Sequence, residues 1–134
     1  MYGALDISTS GLVAQRIRLD VISANIANAR TLLNADGEYE PYRRRAVMLA
    51  AGDGKTGAAG GVHVAAIELD DAPLQARYEP NSPYADAGGY VRYPNVNPVV
   101  EQVNAMEALR SYEANIAAVE ATKSMISVAL QILA

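Results

Sequence analysis

The densest cluster of chemistry-bearing residues in this chain is Arg43-Arg44-Arg45. On an extended segment Arg43 and Arg45 share one face and Arg44 points to the other. Two readings fit: a partner contact, in which the guanidinium groups take bidentate bonds from an acidic patch on a neighbouring subunit or polymer, or a solvated strand edge whose charges discourage strand-to-strand aggregation. Gly52-Asp53-Gly54-Lys55-Thr56 ends in the Gly-Lys-Thr of a phosphate-cradling loop. That loop needs a Gly five residues before Gly54, where Leu49 stands, and a helix N-terminus directly after it. Gly57-Ala58-Ala59-Gly60-Gly61 follows instead and holds no helix, so nucleotide binding is set aside. His63 is the only histidine and sits between Val62 and Val64 in an alternating run, the pattern of a half-buried strand residue rather than a metal ligand. Glu68, Asp70 and Asp71 form an acidic group with nothing to hold a cation geometry, and no Ser has a His and an acid at triad spacing. The reading is a non-enzyme without metal, cofactor or small-molecule substrate.

Composition narrows the class further. The chain has 134 residues, enough for one domain with a modest core. The net charge of −4 argues against nucleic acid as a partner, since phosphate binding needs a basic face. There is no Cys, so no disulfide contributes. No unbroken run of about 18 apolar residues is present, and nothing is expected to span a membrane. The first residues lack the basic segment, apolar core and small-residue site of a cleaved signal peptide. Eight Tyr and no Phe or Trp leave rings with polar tips, suited to surfaces buried against partners, unless the bias is accidental.

The elements that must position these residues are two long helices at the ends. After Pro98 there is neither Gly nor Pro. Asn97 is a cap, and Pro98 at the first helical position gives up only an amide that has no helical partner. Leu109, Tyr112, Ile116, Val119, Ile126, Leu130 and Leu133 form a seam at steps of three and four, preceded by an offset set of Val99, Val103 and Met106. A helix of this length runs about 54 Å, against a diameter of about 36 Å for a globule of this size. It must therefore meet another long helix or other subunits. Residues 3–29 supply such a helix: Leu5, Leu12, Leu19 and Ile26 recur every seven residues, reinforced by Ile22. Ile7, Ala14, Val21 and Ala24 mark a second side, so burial on two sides, between subunits, is expected. Gly11 costs this helix close to 1 kcal/mol relative to Ala, tolerable where a neighbour packs closely. Asn25 and Asn28 share a face. Asn28 is a candidate left-handed helix stop, and Asn25 a hydrogen-bonding residue across a packed surface.

Between the helices, five of the six prolines and eight of ten glycines fall in residues 32–97, the sixth proline being Pro98 itself. Short alternating runs predict strands at Tyr42–Leu49, Val62–Leu69, Leu74–Tyr78 and Tyr90–Tyr93. Asp36-Gly37 and Asp53-Gly54 read as turns, and 52–61 as a flexible exposed loop. The expected architecture is α+β, mainly α. An N-terminal helix (1–31) and a C-terminal helix (98–134) pack as an antiparallel coiled coil around a small irregular β-rich insert (32–97).

These residues resemble a known family. Ser10-Gly11-Leu12, the run from Arg18 to Asn28 and Thr31 are similar to the N-terminal signature of bacterial flagellar rod, hook and axial proteins. Pro41-Tyr42-Arg43-Arg44-Arg45, Tyr78 to Asp86, Gly89 to Asn97 and Arg110-Ser111-Tyr112-Glu113-Ala114-Asn115 resemble the small proximal rod branch of that family. Glu79, Ser82 and Tyr84 depart from that branch's usual Asp, His and Asp. The resemblance implies a structural rod subunit that transmits torque from motor to hook. It would be exported without a cleaved signal peptide through the flagellar export apparatus to the periplasm. Its partners would be copies of itself, other proximal rod proteins, the rod-base adaptor and the distal rod. Candidate assembly residues are Leu5, Gly11, Leu12, Leu19, Ile22, Asn25, Ile26, Asn28, Val103, Met106, Leu109, Tyr112, Asn115, Ile116, Val119, Ile126 and Leu130. Arg43, Arg44 and Arg45 are candidate partner contacts. The alternative from another class is a soluble oligomeric helical binding module or chaperone.

Overall fold

The computed structural model describes all residues except Met1 and Ala58, together with the side chain of Tyr2 left aside. Met1 of the expected first segment and Ala58 of the expected loop lie outside the described residues. The elements in chain order are α1 (Tyr2–Ala27), β1 (Arg45–Ala51), β2 (Val62–Leu69), β3 (Gln75–Tyr78), β4 (Tyr90–Tyr93) and α2 (Pro98–Leu133). The fold is mainly helical, with two small antiparallel sheets inserted between the helices.

Helix α2 starts where the sequence places it. Asn97 is extended, and its side chain accepts from the amides of Val99 and Val100, with Pro98 filling the first helical position. Helix α1 stops by a different device from the one expected. Among the described residues only glycines adopt positive φ, so Asn28 is not a left-handed cap. Its side-chain amide instead donates to the Ala24 carbonyl at 2.8 Å, and its own carbonyl oxygen and side-chain oxygen receive Thr31. A short Asn both satisfies the last turn and competes with its continuation.

The insert is two separate hairpins. β1 pairs with β2 from Arg45↔Leu69 to Ala51↔Val62, with an irregularity between Met48 and Leu49; β3 pairs with β4 from Gln75↔Tyr93 to Tyr78↔Tyr90. β1 begins three residues later than the alternation predicts. The reason is tertiary: the Arg44 amide donates to the Asn95 side chain and the Tyr42 amide to the Thr31 carbonyl, so the backbone there serves other elements than a strand partner. The turn at Asp36-Gly37 forms as expected, with Gly37 at φ +80° and Asn34 accepting from the amides of Asp36 and Glu38. Loop 52–61 is less free than its composition predicts. Gly52 and Gly61 close it with a backbone bond, and the Val62 amide donates to Ser10 Oγ on α1.

The tyrosines knit the insert. Tyr39 stacks on Tyr84 at 5.1 Å, and Tyr78 meets Tyr90 edge-on. Tyr39 also exchanges bonds with the Arg92 backbone, and the Tyr93 hydroxyl donates to Glu79. Glu79 holds that hydroxyl above the ordinary phenol range. Much of the tyrosine bias is thus used inside the chain, where a ring can pack and its tip can still find an acceptor.

Candidate assembly site

Three contacts fix how α1 and α2 lie together. Gly11 sits against the Asn115 side chain, Arg18 pairs with Glu107 at 3.6 Å, and Asn25 bonds Glu101. As α1 numbers rise by sevens, α2 numbers fall, so the helices run in opposite directions. A Cβ at Gly11 would lie 2.7 Å from the Asn115 amide nitrogen, which explains the glycine. What packs closely there is a side chain rather than the neighbouring backbone.

The face of α2 turned toward α1 is made of small and polar residues. Glu101 and Ala108 are buried, and Asn104, Ala105, Ser111, Tyr112, Asn115, Val119, Thr122 and Ile126 are half-buried in phase with them. On α1 the matching stripe is Gly11, Ala14, Ile22 and Asn25, all buried. Leu5, Leu12, Leu19 and Ile26 lie beside this stripe and are half-buried, as is Asn28. The apolar seam read on α2 therefore divides. Tyr112, Val119 and Ile126 turn inward, while Leu109, Ile116 and Leu130 are exposed, along with Val99, Val103 and Met106. At about 1.5 Å per residue, α2 exceeds α1 by roughly 15 Å. On the Gly11–Asn115 pairing that excess projects past the start of α1, where Met125, Val128, Ile132 and Leu133 are exposed, the last at 84%.

At the other end of the helix pair lies an enclosed polar junction. Asn25 is fully buried and saturated: its amide donates to the Arg45 carbonyl at 2.8 Å and to Glu101 at 3.2 Å, and its oxygen accepts from the Tyr42 hydroxyl and the Arg45 amide. Glu101, 1% exposed, also receives Arg44 Nε, and Arg44 reaches Asp70 at 3.3 Å. Hydrogen bonding to Glu101 raises the Arg44 guanidinium further above its already high range. Burial raises the Tyr42 phenol, against a smaller lowering by Arg45. Asn95 ties in the loop before α2, accepting from the Arg44 amide and donating to the carbonyls of Asp70 and Ala72. A buried charge is tolerated only when paired and hydrogen-bonded, and this one is both.

The junction also places the arginine cluster. Arg44 faces inward and Arg43 caps the carbonyls of Asp70 and Ala72. Only Arg45 is exposed, its guanidinium 5.8 Å from the Tyr42 ring. It lines a groove of about 510 Å³ with Leu33, Pro41, Tyr42, Leu69 and Leu74. Asn25 makes the expected hydrogen bond across a packed surface, its partner being Glu101 of the same chain. His63 Nδ1 donates to the Gly52 carbonyl, 2.7 Å away, beneath Gly54, and so holds a loop. Asp53 caps that loop's turn through Lys55 and Thr56, which hold its carboxyl below the usual range. Among the described residues no group of three His, Cys, Asp or Glu side chains could hold a metal ion.

Glu101, Tyr42, Asn95 and Ser10 carry these contacts without standing in any apolar seam. A signal existed: Glu101, Ala108 and Asn115 recur every seven residues, as do Gly11, Arg18 and Asn25. A search for large apolar residues passes over such a seam. By length and composition α2 is apolar enough to cross a membrane, and its most apolar 18-residue window has no buried residue. Its apolar residues are interrupted by polar ones and form no unbroken run.

Comparison with known proteins adds to this geometry. Residues 5–31 match the family model described as flagella basal body rod protein, and residues 87–132 the one described as flagellar basal body rod FlgEFG protein C-terminal. The chain is 41% identical to the flagellar basal-body rod protein FlgC of Bacillus subtilis (strain 168), over 98% of this chain and 97% of that one. It is 44% identical to FlgC of Salmonella typhimurium (strain LT2), over 93% and 92%, and 39% identical to FlgC of Borreliella burgdorferi, over 99% and 97%.

Proposed function

The chain belongs to the FlgC family of flagellar basal-body rod proteins, and we propose that it builds the proximal rod through helix faces shared between subunits. It is a structural rod subunit and not an enzyme. The observation that carries the assembly reading is the sidedness of α2. Its small, polar face is used within the chain together with Tyr112, Val119 and Ile126, and most of its large apolar residues, Val103 at 58% exposure and Met106 at 56% among them, stand outward. Exposed apolar patches of this extent mark interaction surfaces. A bilayer is a poorer occupant, because Glu120 and Lys123 lie on the same helix and a charged side chain costs about 2.5–3.5 kcal/mol at a bilayer centre.

In this reading residues 1–31 and 98–134 form the axial core and supercoil as an antiparallel coiled coil, supported by the opposed seven-residue repeats of Gly11, Arg18, Asn25 and Glu101, Ala108, Asn115. Residues 32–97 form an insert anchored on α1. Neighbours are further copies, other proximal rod proteins, the rod-base adaptor and the distal rod. The subunit reaches the periplasm through the flagellar export apparatus without a cleaved signal, and shared helix packing transmits torque from motor to hook. Arg45, exposed beside an apolar groove, is the remaining arginine for a neighbour's acidic group.

The test is Leu19→Asp and Ile116→Asp in the flagellated host, scored by swimming and by electron microscopy of isolated basal bodies. Each places a charge in a shared apolar face and is expected to abolish rods. Normal rods and swimming in both would overturn the reading.

A further inference from the structure

The pairing of α1 with α2 runs against simple burial. Over its first three turns α2 presents Glu101, Ala105 and Ala108 to α1 and turns Val99, Val103, Met106 and Leu109 to solvent, whereas farther along Tyr112, Val119 and Ile126 turn inward. In that first part, apolar area alone would favour a rotation of roughly half a turn, so that Val103 and Met106 packed on α1 instead. Something directional must oppose that rotation. The surface pair Arg18–Glu107 is too weak, with Glu107 largely in solvent.

We infer that the Asn25–Arg44–Glu101 network selects the face of α2 that packs on α1, and thereby keeps the large apolar face outward. Rotation would carry Glu101 away and press valine side chains against the Asn25 amide and the Arg44 guanidinium. Both donors would then be enclosed without that acceptor. The small-residue stripe itself carries little orientation information, since Ala105 and Ala108 fit many partners. Buried polar pairs fixing helix register and orientation at a cost in stability are the best-attested use of such groups. Here the selector is tied to the insert as well, because Arg44 enters from the start of β1 and holds Asp70 at the end of β2. Asn25, Arg44 and Glu101 are thus positioning residues. The inference depends on the rod reading only for the use made of the outward face.

The chain has no cysteine, so single thiols report which face is covered. Purified full-length chains carrying Met106→Cys or Ala108→Cys would be labelled with a water-soluble thiol reagent. Helix content would be followed by circular dichroism. In the native background the Met106→Cys thiol should react at least about tenfold faster than the Ala108→Cys thiol, which replaces a fully enclosed side chain. Replacing the network by apolar residues of similar volume, Asn25→Leu with Arg44→Met and Glu101→Leu, should reverse or abolish that ratio while helix content is retained. Glu101→Gln alone, which keeps volume and one acceptor, should give an intermediate ratio. An unchanged ratio in both variants would overturn the inference. So would loss of helix content in both, because the network would then be needed for folding rather than for orientation. Neither readout involves motility, so the outcome is independent of the rod test.

Discussion

At the scale of single residues, two positions show how local chemistry is subordinated to packing. Gly11 lowers helix propensity, and the gain is room for the Asn115 amide, which itself donates to the Ser111 carbonyl at 3.0 Å. Gly11→Leu should therefore destabilise the chain by about 1–3 kcal/mol through over-packing, despite leucine's better helix propensity. Adding Asn115→Ala should recover part of the loss, as read from denaturant midpoints. Tyr42 gives a pH dependence whose sign follows from its environment. Burial favours the neutral phenol, which donates to Asn25, so its pKa in the fold lies above the unfolded value. Its contribution is complete below the ordinary phenol value of about 10 and is lost as pH rises through the raised value. Thermal melts across that alkaline range should show the loss, and Tyr42→Phe should remove it.

At the scale of elements, α2 was legible to the residue because its signals are local: a cap, a proline and an absence of breakers. Asn97→Ala should lower stability by about 1 kcal/mol through the two freed amides, measured by chemical denaturation. β2 and β4 were equally legible, since alternation bounded by turn residues is a short-range pattern. β1 was not, because Tyr42, Arg43 and Arg44 alternate like a strand but are bonded to Thr31, Asp70, Asn95 and Glu101. Loop 52–61 shows the same limit. Its composition predicts freedom, whereas Ser10 on α1 anchors its end.

At the scale of the whole molecule, the fold separates residues enclosed within the chain from apolar residues left exposed. Val103 illustrates the second group. Val103→Asp should change the stability of the free chain by no more than about 0.5 kcal/mol, as for an exposed surface position, yet prevent rod assembly. Denaturation of the purified variant and basal-body microscopy together check both halves. A large loss of stability would show that Val103 is covered within the chain, and normal rods would show that it faces no neighbour. The contrast with Glu101 is direct, since that residue is enclosed and bonded to two partners.

The sequence by itself determined the helix–insert–helix order, the strand positions in broad terms, the absence of a catalytic constellation and the rod family. Each of these rests on periodicity, turn chemistry or a contiguous motif, all readable within a window of a few tens of residues. Which face of each helix meets the other was decided only in three dimensions. Large apolar residues announce burial but not by whom. Here the chain buries the small and polar stripe, because Asn25 and Glu101, 76 residues apart, are brought into hydrogen-bonding reach with Arg44 between them. That enclosed junction holds the two helices by their quiet faces, so the apolar ones remain outward.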